Sequence, residues 1–167
     1  ELARDYFESK FKTMPLVDSS REAERSLREM FREANRIVMD EQKIRRATGH
    51  PEEGEMGTTA TVVQFFGRAE GERHAVIGHV GDTRAYRLRG GTLDELTLDD
   101  HAILKAAAPN EKEEWKIQRE FSNLKDKDAF EAMDSKLKPA FDKRHVISNM
   151  LGASFMNPHV RTIDVAA

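Results

Sequence analysis

Apolar positions recur at helical spacing through the first fifty residues. Leu2, Ala3, Tyr6, Phe7 and Phe11 fall three or four apart, which predicts a helix over residues 1–13 that stops by Pro15. A longer stripe follows in Ala23, Leu27, Met30, Phe31, Ala34, Ile37, Val38 and Ile44. Ser19 with Glu22 is a capping-box pattern in front of it, and Gly49 followed by Pro51 is a stop signal. After a polar loop at residues 52–55 the period changes. Thr58 to Phe66 is short, β-branched and aromatic, as expected of a strand buried on both faces. Further strands are expected at residues 74–80, 84–89 and 92–97. Gly81-Asp82 and Gly90-Gly91 lie between them and suit tight hairpins, so residues 58–97 read as an antiparallel meander.

From Ala102 to Ala140 the chain is helical again and highly charged, with Trp115, Ile117 and Phe121 on one helix and Phe130, Met133 and Leu137 on another. Lys125 to Asp128 separates the two, and Pro139 is expected to end the second. Val146 to Gly152 is a short apolar segment, and Val160 to Val165 alternates like a last strand. Helices flanking a β-meander point to an α+β layered domain.

The 167 residues are near the length of one domain, at about 150 residues per domain, and exclude a multi-domain machine. Apolar residues make up 38% and charged residues 34%, so the core is modest and much of the helical surface is solvated. Lys+Arg number 27 against 30 Asp+Glu, a formal net charge of -3 that argues against a general polyanion binder. Arg21, Arg25, Arg28, Arg32 and Arg36 share a helix face, but Glu24-Arg28, Glu29-Arg32 and Glu33-Arg36 are spaced for ion pairs, so no nucleic-acid partner is expected. The chain has no cysteine, which excludes disulfides, thiolate zinc sites and a cysteine nucleophile and is compatible with a cytoplasmic location. No apolar run approaches the roughly 18 residues of a membrane span. The chain opens on Glu1 and closes on Asp164-Val165-Ala166-Ala167, so both ends read as cut.

Candidate chemistry is sparse. Gly81-Asp82 reads first as a plain turn, and the functional alternative is a turn that projects a carboxylate from a sheet rim toward a divalent cation. Asp99-Asp100-His101 reads as a solvated strand end or helix cap. The histidines at 50, 74, 79, 101, 145 and 159 include no i, i+4 pair and are taken as non-metal. Neither a Gly-x-Ser-x-Gly elbow nor a phosphate-cradling Gly-x-x-x-x-Gly-Lys loop occurs.

Order raises these weak signals. Met56-Gly57-Thr58-Thr59-Ala60-Thr61-Val62-Val63, Gly78-His79-Val80-Gly81-Asp82-Thr83-Arg84-Ala85-Tyr86, Leu96-Thr97-Leu98-Asp99-Asp100-His101 and Val146-Ile147-Ser148-Asn149-Met150-Leu151-Gly152 follow one another. The succession resembles the central part of PPM-type (type 2C) metal-dependent protein phosphatases, bacterial members above all, over most of the chain. The resemblance implies an α-β-β-α sandwich with antiparallel sheets. It also implies hydrolysis of phosphoserine and phosphothreonine in phosphorylated protein substrates, by a water that two Mn2+ or Mg2+ ions activate.

The family's aspartate-glycine motif and its phosphate-gripping arginine would lie upstream of Glu1. Its serine-aspartate-glycine and aspartate-asparagine motifs would lie downstream of Ala167. Only Asp82 matches a family metal residue, the aspartate associated with a third metal. Residues 1–167 are thus expected to be one partial phosphatase domain, inactive by itself, with residues 102–144 as a helical flap-like insertion. The rival expectation is a non-catalytic regulatory or binding module on the same scaffold.

Overall fold

The computed structural model describes residues 1–14, 17–49, 56–66, 74–124 and 127–165. Helices α1 (Leu2–Thr13) and α2 (Ser20–Ala47) form where the spacing predicts them. Ser19 Oγ accepts the Glu22 N–H at 3.3 Å and so satisfies one of the free donors at the start of α2. At the other end the Thr48 N–H donates to the Ile44 carbonyl, and Gly49 follows with φ +88°, a left-handed turn that glycine makes without a Cβ clash. Pro15, Pro51, the polar loop at residues 52–55 and the separators Lys125 and Asp126 lie outside the described residues.

The buried stripe of α2 is Ala23, Leu27, Met30, Phe31, Ala34 and Val38. Ile44, expected to extend it, is 57% exposed. The stripe ends instead on Gln42, whose amide donates to the carbonyls of Met56 and Gly152 where two crossing loops need donors.

Five strands form: β1 (Ala60–Phe66), β2 (His74–Val80), β3 (Tyr86–Arg89), β4 (Thr92–Glu95) and β5 (His159–Asp164). They do not make one meander. β2 is central in an antiparallel β1-β2-β5 sheet, and β3 pairs only with β4. Gly90-Gly91, at φ +55° and +79°, closes the β3–β4 hairpin with the two positive φ values that a type I′ turn requires. Gly81-Asp82 closes no hairpin. Gly81, at φ +98°, turns the chain out of the first sheet toward the second.

The register places Val62 and Val160 on either side of Gly78. Val76, Val80 and Val160 belong to the core that α1 and α2 cover. A Cβ added at Gly78 would lie 2.6 Å from Phe31 Cε2 and 2.9 Å from Leu27, so the missing side chain is what lets α2 approach β2. The opposite face of β1 is open, with Val63 39% and Phe65 70% exposed. β1 is therefore not buried on both faces. It is an edge strand, and among the described residues no layer covers its far side.

The hairpin is fastened to the far end of β5, where Arg87 and Arg89 donate to the Asp164 carbonyl at 3.0 and 2.8 Å. Between β4 and β5 come α3 (Ala102–Ala107), α4 (Glu111–Asn123), α5 (Lys127–Ala132) and α6 (Lys138–Asp142). The two expected helices are thus four short ones. Pro139 starts α6 rather than ending a helix, because its fixed φ and missing N–H suit a first turn. Phe121 and Phe130 both pack on Phe141, with ring centroids 5.3 and 5.4 Å apart, giving this region its own small aromatic core. Among the described residues no helix is long and apolar enough to cross a membrane.

Candidate functional site

The end of β2 and the loop after β4 meet at Gly81. The Gly81 carbonyl accepts the Asp100 N–H at 2.8 Å, and the Gly81 N–H donates to Asp100 Oδ2 at 3.1 Å. A Cβ at Gly81 would lie 2.2 Å from Thr59 Cγ2, so the segment leading into β1 also presses on this residue. With Gly81 held at both polar groups, the next side chain, Asp82, projects from the rim and is 43% exposed. His101 Nε2 stands 3.9 Å from Asp82 Oδ2 and 3.9 Å from Asp99 Oδ2.

The two carboxylates beneath are buried, with Asp99 2% and Asp100 1% exposed. They are not the solvated strand end that their sequence suggests. A buried carboxylate must find donors or be neutralised. Asp99 takes the Arg84 fork, Nε at 3.0 Å and Nη2 at 2.6 Å, while its N–H donates to Gln118 Oε1 at 2.7 Å. The Asp99 carboxylate in turn holds the Arg84 guanidinium well above its ordinary range, and burial opposes this only in part.

Asp100 receives Asn149 Nδ2 at 2.7 Å and Gly81 N–H on one oxygen, and His159 Nε2 at 2.9 Å and Lys105 Nζ at 3.0 Å on the other. Burial pushes the Asp100 carboxyl up, but the bonds from His159, Gly81 and Lys105 outweigh it and leave it below the usual carboxylate range. The Asp100 carbonyl also accepts the Ser148 N–H and hydroxyl at 2.8 and 3.0 Å, which seats the 146–152 segment.

Two histidines flank this network. Burial lowers the His79 pKa, so the ring is neutral near pH 7. Its Nε2 faces the Leu98 carbonyl at 3.2 Å, which can only accept, so Nε2 carries the proton and Nδ1 accepts from the Thr61 hydroxyl at 2.9 Å. Burial also lowers the His101 pKa, against the pull of Asp99 and Asp82.

The structure brings Asp82, Asp99, Asp100 and His101 together at one end of the first sheet. Sequence reasoning missed Arg84, Lys105, Asn149 and His159, which bind the two buried carboxylates from 15, 5, 49 and 59 residues away. No local spacing signals such partners.

The donor set does not fit a metal pair. Both Asp99 oxygens are committed to Arg84 and both Asp100 oxygens to four donors, which leaves Asp82 as the one carboxylate here with open access. Among the described residues no group of three or more His, Asp or Glu converges as a metal site requires.

No protein-family model matches the sequence, and no curated protein matches it significantly. Solved structures do. A bacterial serine phosphatase aligns with 98% of the chain at TM-score 0.63 and 18% identity, over 54% of its own length. A serine/threonine phosphatase of Staphylococcus aureus aligns at TM-score 0.62 and 17% identity, with 98% of the chain and 52% of that protein covered. The catalytic domain of the serine/threonine phosphatase PstP, solved with two manganese ions, aligns at TM-score 0.59 and 18% identity, with 98% of the chain and 53% of that domain covered. The fold is therefore the PPM-type fold of these bacterial phosphatases, and the chain spans about half the length of the solved structures it matches.

Proposed function

From a fold shared with bacterial serine/threonine phosphatases, we propose that the chain is the central part of a metal-dependent protein phosphatase acting on phosphoserine and phosphothreonine. Residues 1–167 form one partial domain of it, and residues 102–144 a helical flap-like insertion. The observation that carries the reading is the Gly81-Asp82 turn, clamped by Asp100 so that one carboxylate stands at the sheet rim within 3.9 Å of His101. In this reading Asp82 contributes to a Mn2+ or Mg2+ site only together with carboxylates supplied from outside the chain, and the chain alone does not hydrolyse phosphoesters. The absence of cysteine agrees with work in the cytoplasm.

The test is turnover of a phosphoserine peptide by a longer protein that includes the chain, followed as a function of manganese concentration. Asp82→Ala is expected to move the manganese dependence to higher concentration while leaving the circular dichroism spectrum intact. Identical kinetics at every manganese concentration would reduce Asp82 to a turn residue.

One observation favours a second reading. The commitment of Asp99 and Asp100 to internal donors also suits a non-catalytic module that recognises phosphorylated partners. Absence of turnover in the longer protein, with retained affinity for the phosphopeptide, would select it.

A further inference from the structure

His79 lies on β2 and is 1% exposed, and the bonds that hold Asp99 and Asp100 make no use of its ring. An apolar residue could fill a buried strand position at little cost, since two hydrogen-bonding partners removed together can be nearly neutral. What distinguishes the histidine is the pair of segments its nitrogens join. Nε2–H reaches the Leu98 carbonyl at 3.2 Å, next to Asp99, and Nδ1 accepts from the Thr61 hydroxyl at 2.9 Å. With its one proton on Nδ1, the Thr61 hydroxyl accepts from the Thr83 hydroxyl at 2.8 Å. The Thr83 carbonyl takes the hydroxyl of the buried Thr97 at 3.4 Å, and Thr97 Oγ1 accepts the Ala85 N–H at 3.0 Å.

These bonds bracket Asp82. Asp100 fixes Gly81 on one side of it, and on the other Thr83 is fixed through Thr61 by His79. The Asp82 carboxylate stands 3.9 Å from His101 Nε2, beyond hydrogen-bond length, so its direction is set by the backbone on its two sides.

We infer that His79 is a positioning residue. Through Thr61 and Thr83 it fixes the chain after Asp82, as Asp100 fixes the chain before it, and so aims the Asp82 carboxylate from the rim toward a metal. That the aimed carboxylate meets a metal rests on the phosphatase reading; the hold on the turn does not. Outer partners orient the groups that bind a metal, and their loss commonly weakens metal affinity about tenfold or more.

Three variants separate the two bonds of the ring. His79→Asn keeps an acceptor at the Nδ1 position and loses the bond to Leu98, while His79→Gln keeps a donor at the Nε2 position and loses the bond from Thr61. Thr61→Val removes that same link with the ring left in place. In the 167-residue chain, amide hydrogen exchange at Ala85 is measured against amides of α2, which report the fold as a whole. Relative to them it should quicken roughly tenfold in His79→Gln and Thr61→Val and hold the parent rate in His79→Asn. In a longer protein that contains the chain, His79→Gln should raise the manganese concentration for half-maximal turnover of a phosphoserine peptide about tenfold, and should add nothing to Asp82→Ala. Unchanged Ala85 exchange in His79→Gln and Thr61→Val, or an equal change in His79→Asn, overturns the inference. So does a full additive effect on top of Asp82→Ala, the result that a merely structural histidine would give. A longer protein without turnover would remove the phosphatase reading, and the exchange rates would still decide whether His79 holds the turn.

Discussion

Asp100 shows how one side chain can set the geometry of a rim several ångströms away. Its carboxylate is reached by donors from four separate segments, so Asp100→Ala strips acceptors from the buried Asn149 amide and the Gly81 N–H at once. Leaving buried donors of this kind without an acceptor costs about 1–3 kcal/mol, which chemical denaturation should read as a lower midpoint at unchanged slope. The titration of the network has a definite sign. A carboxyl depressed in the folded chain contributes stability above its unfolded value, and that contribution is lost as pH falls through the folded value. For Asp100 the loss begins near the ordinary carboxylate pKa of about 4.

His79 and His101 are also depressed, so the unfolded chain takes up their protons first and stability declines already below about pH 6.5. Thermal melts should therefore fall in two stages on acidification. His79→Gln should shrink the upper stage and leave the lower one. A flat profile between pH 7 and 5 would show that neither ring is held neutral by burial. Of this cluster the sequence revealed Asp82 as a turn carboxylate. It did not reveal that Asp99 and Asp100 are buried, because their partners come from distant segments.

At the scale of elements, what the period of the apolar residues controls was legible and what pairing controls was not. The stripe Ala23 to Val38 fixes α2 and its inward face by spacing alone. Gly81-Asp82 and Gly90-Gly91 look alike as dipeptides, yet only the second joins paired strands, since β2 finds β1 and β5 on either side through contacts up to about ninety residues apart. The helix-to-sheet contact at Gly78 was equally hidden. Gly78→Ala would drive a methyl into Phe31 and Leu27. Overpacking of this kind costs about 1–3 kcal/mol, and a melt within a degree of the parent would show that α2 can move aside. The free edges of the sheet are unequal as well. On β5, Glu24 accepts from the Thr162 N–H at 3.1 Å and Arg28 donates to the Val160 carbonyl at 2.9 Å, so α2 side chains occupy polar groups that an added strand would need.

For the molecule as a whole, the unusual feature is apolar surface in the wrong place. Val63 and Phe65 on the first sheet and Leu88 and Leu93 on the hairpin are all exposed, where a sandwich of two sheets would bury such residues between its layers. That exposure agrees with a chain that spans about half of the phosphatases it resembles in fold. It also agrees with a donor set in which, among the described residues at this end of the sheet, Asp99 and Asp100 are taken up by internal donors and Asp82 is left open. In the function proposed above, this chain is phosphatase scaffold whose reaction centre is completed by residues beyond it. The most direct measurement is manganese-dependent release of phosphate from a phosphoserine peptide, compared between the 167-residue chain and a longer protein that contains it. Release by the longer protein and none by the chain is the expected result. Turnover by the chain alone, or by neither, would contradict it.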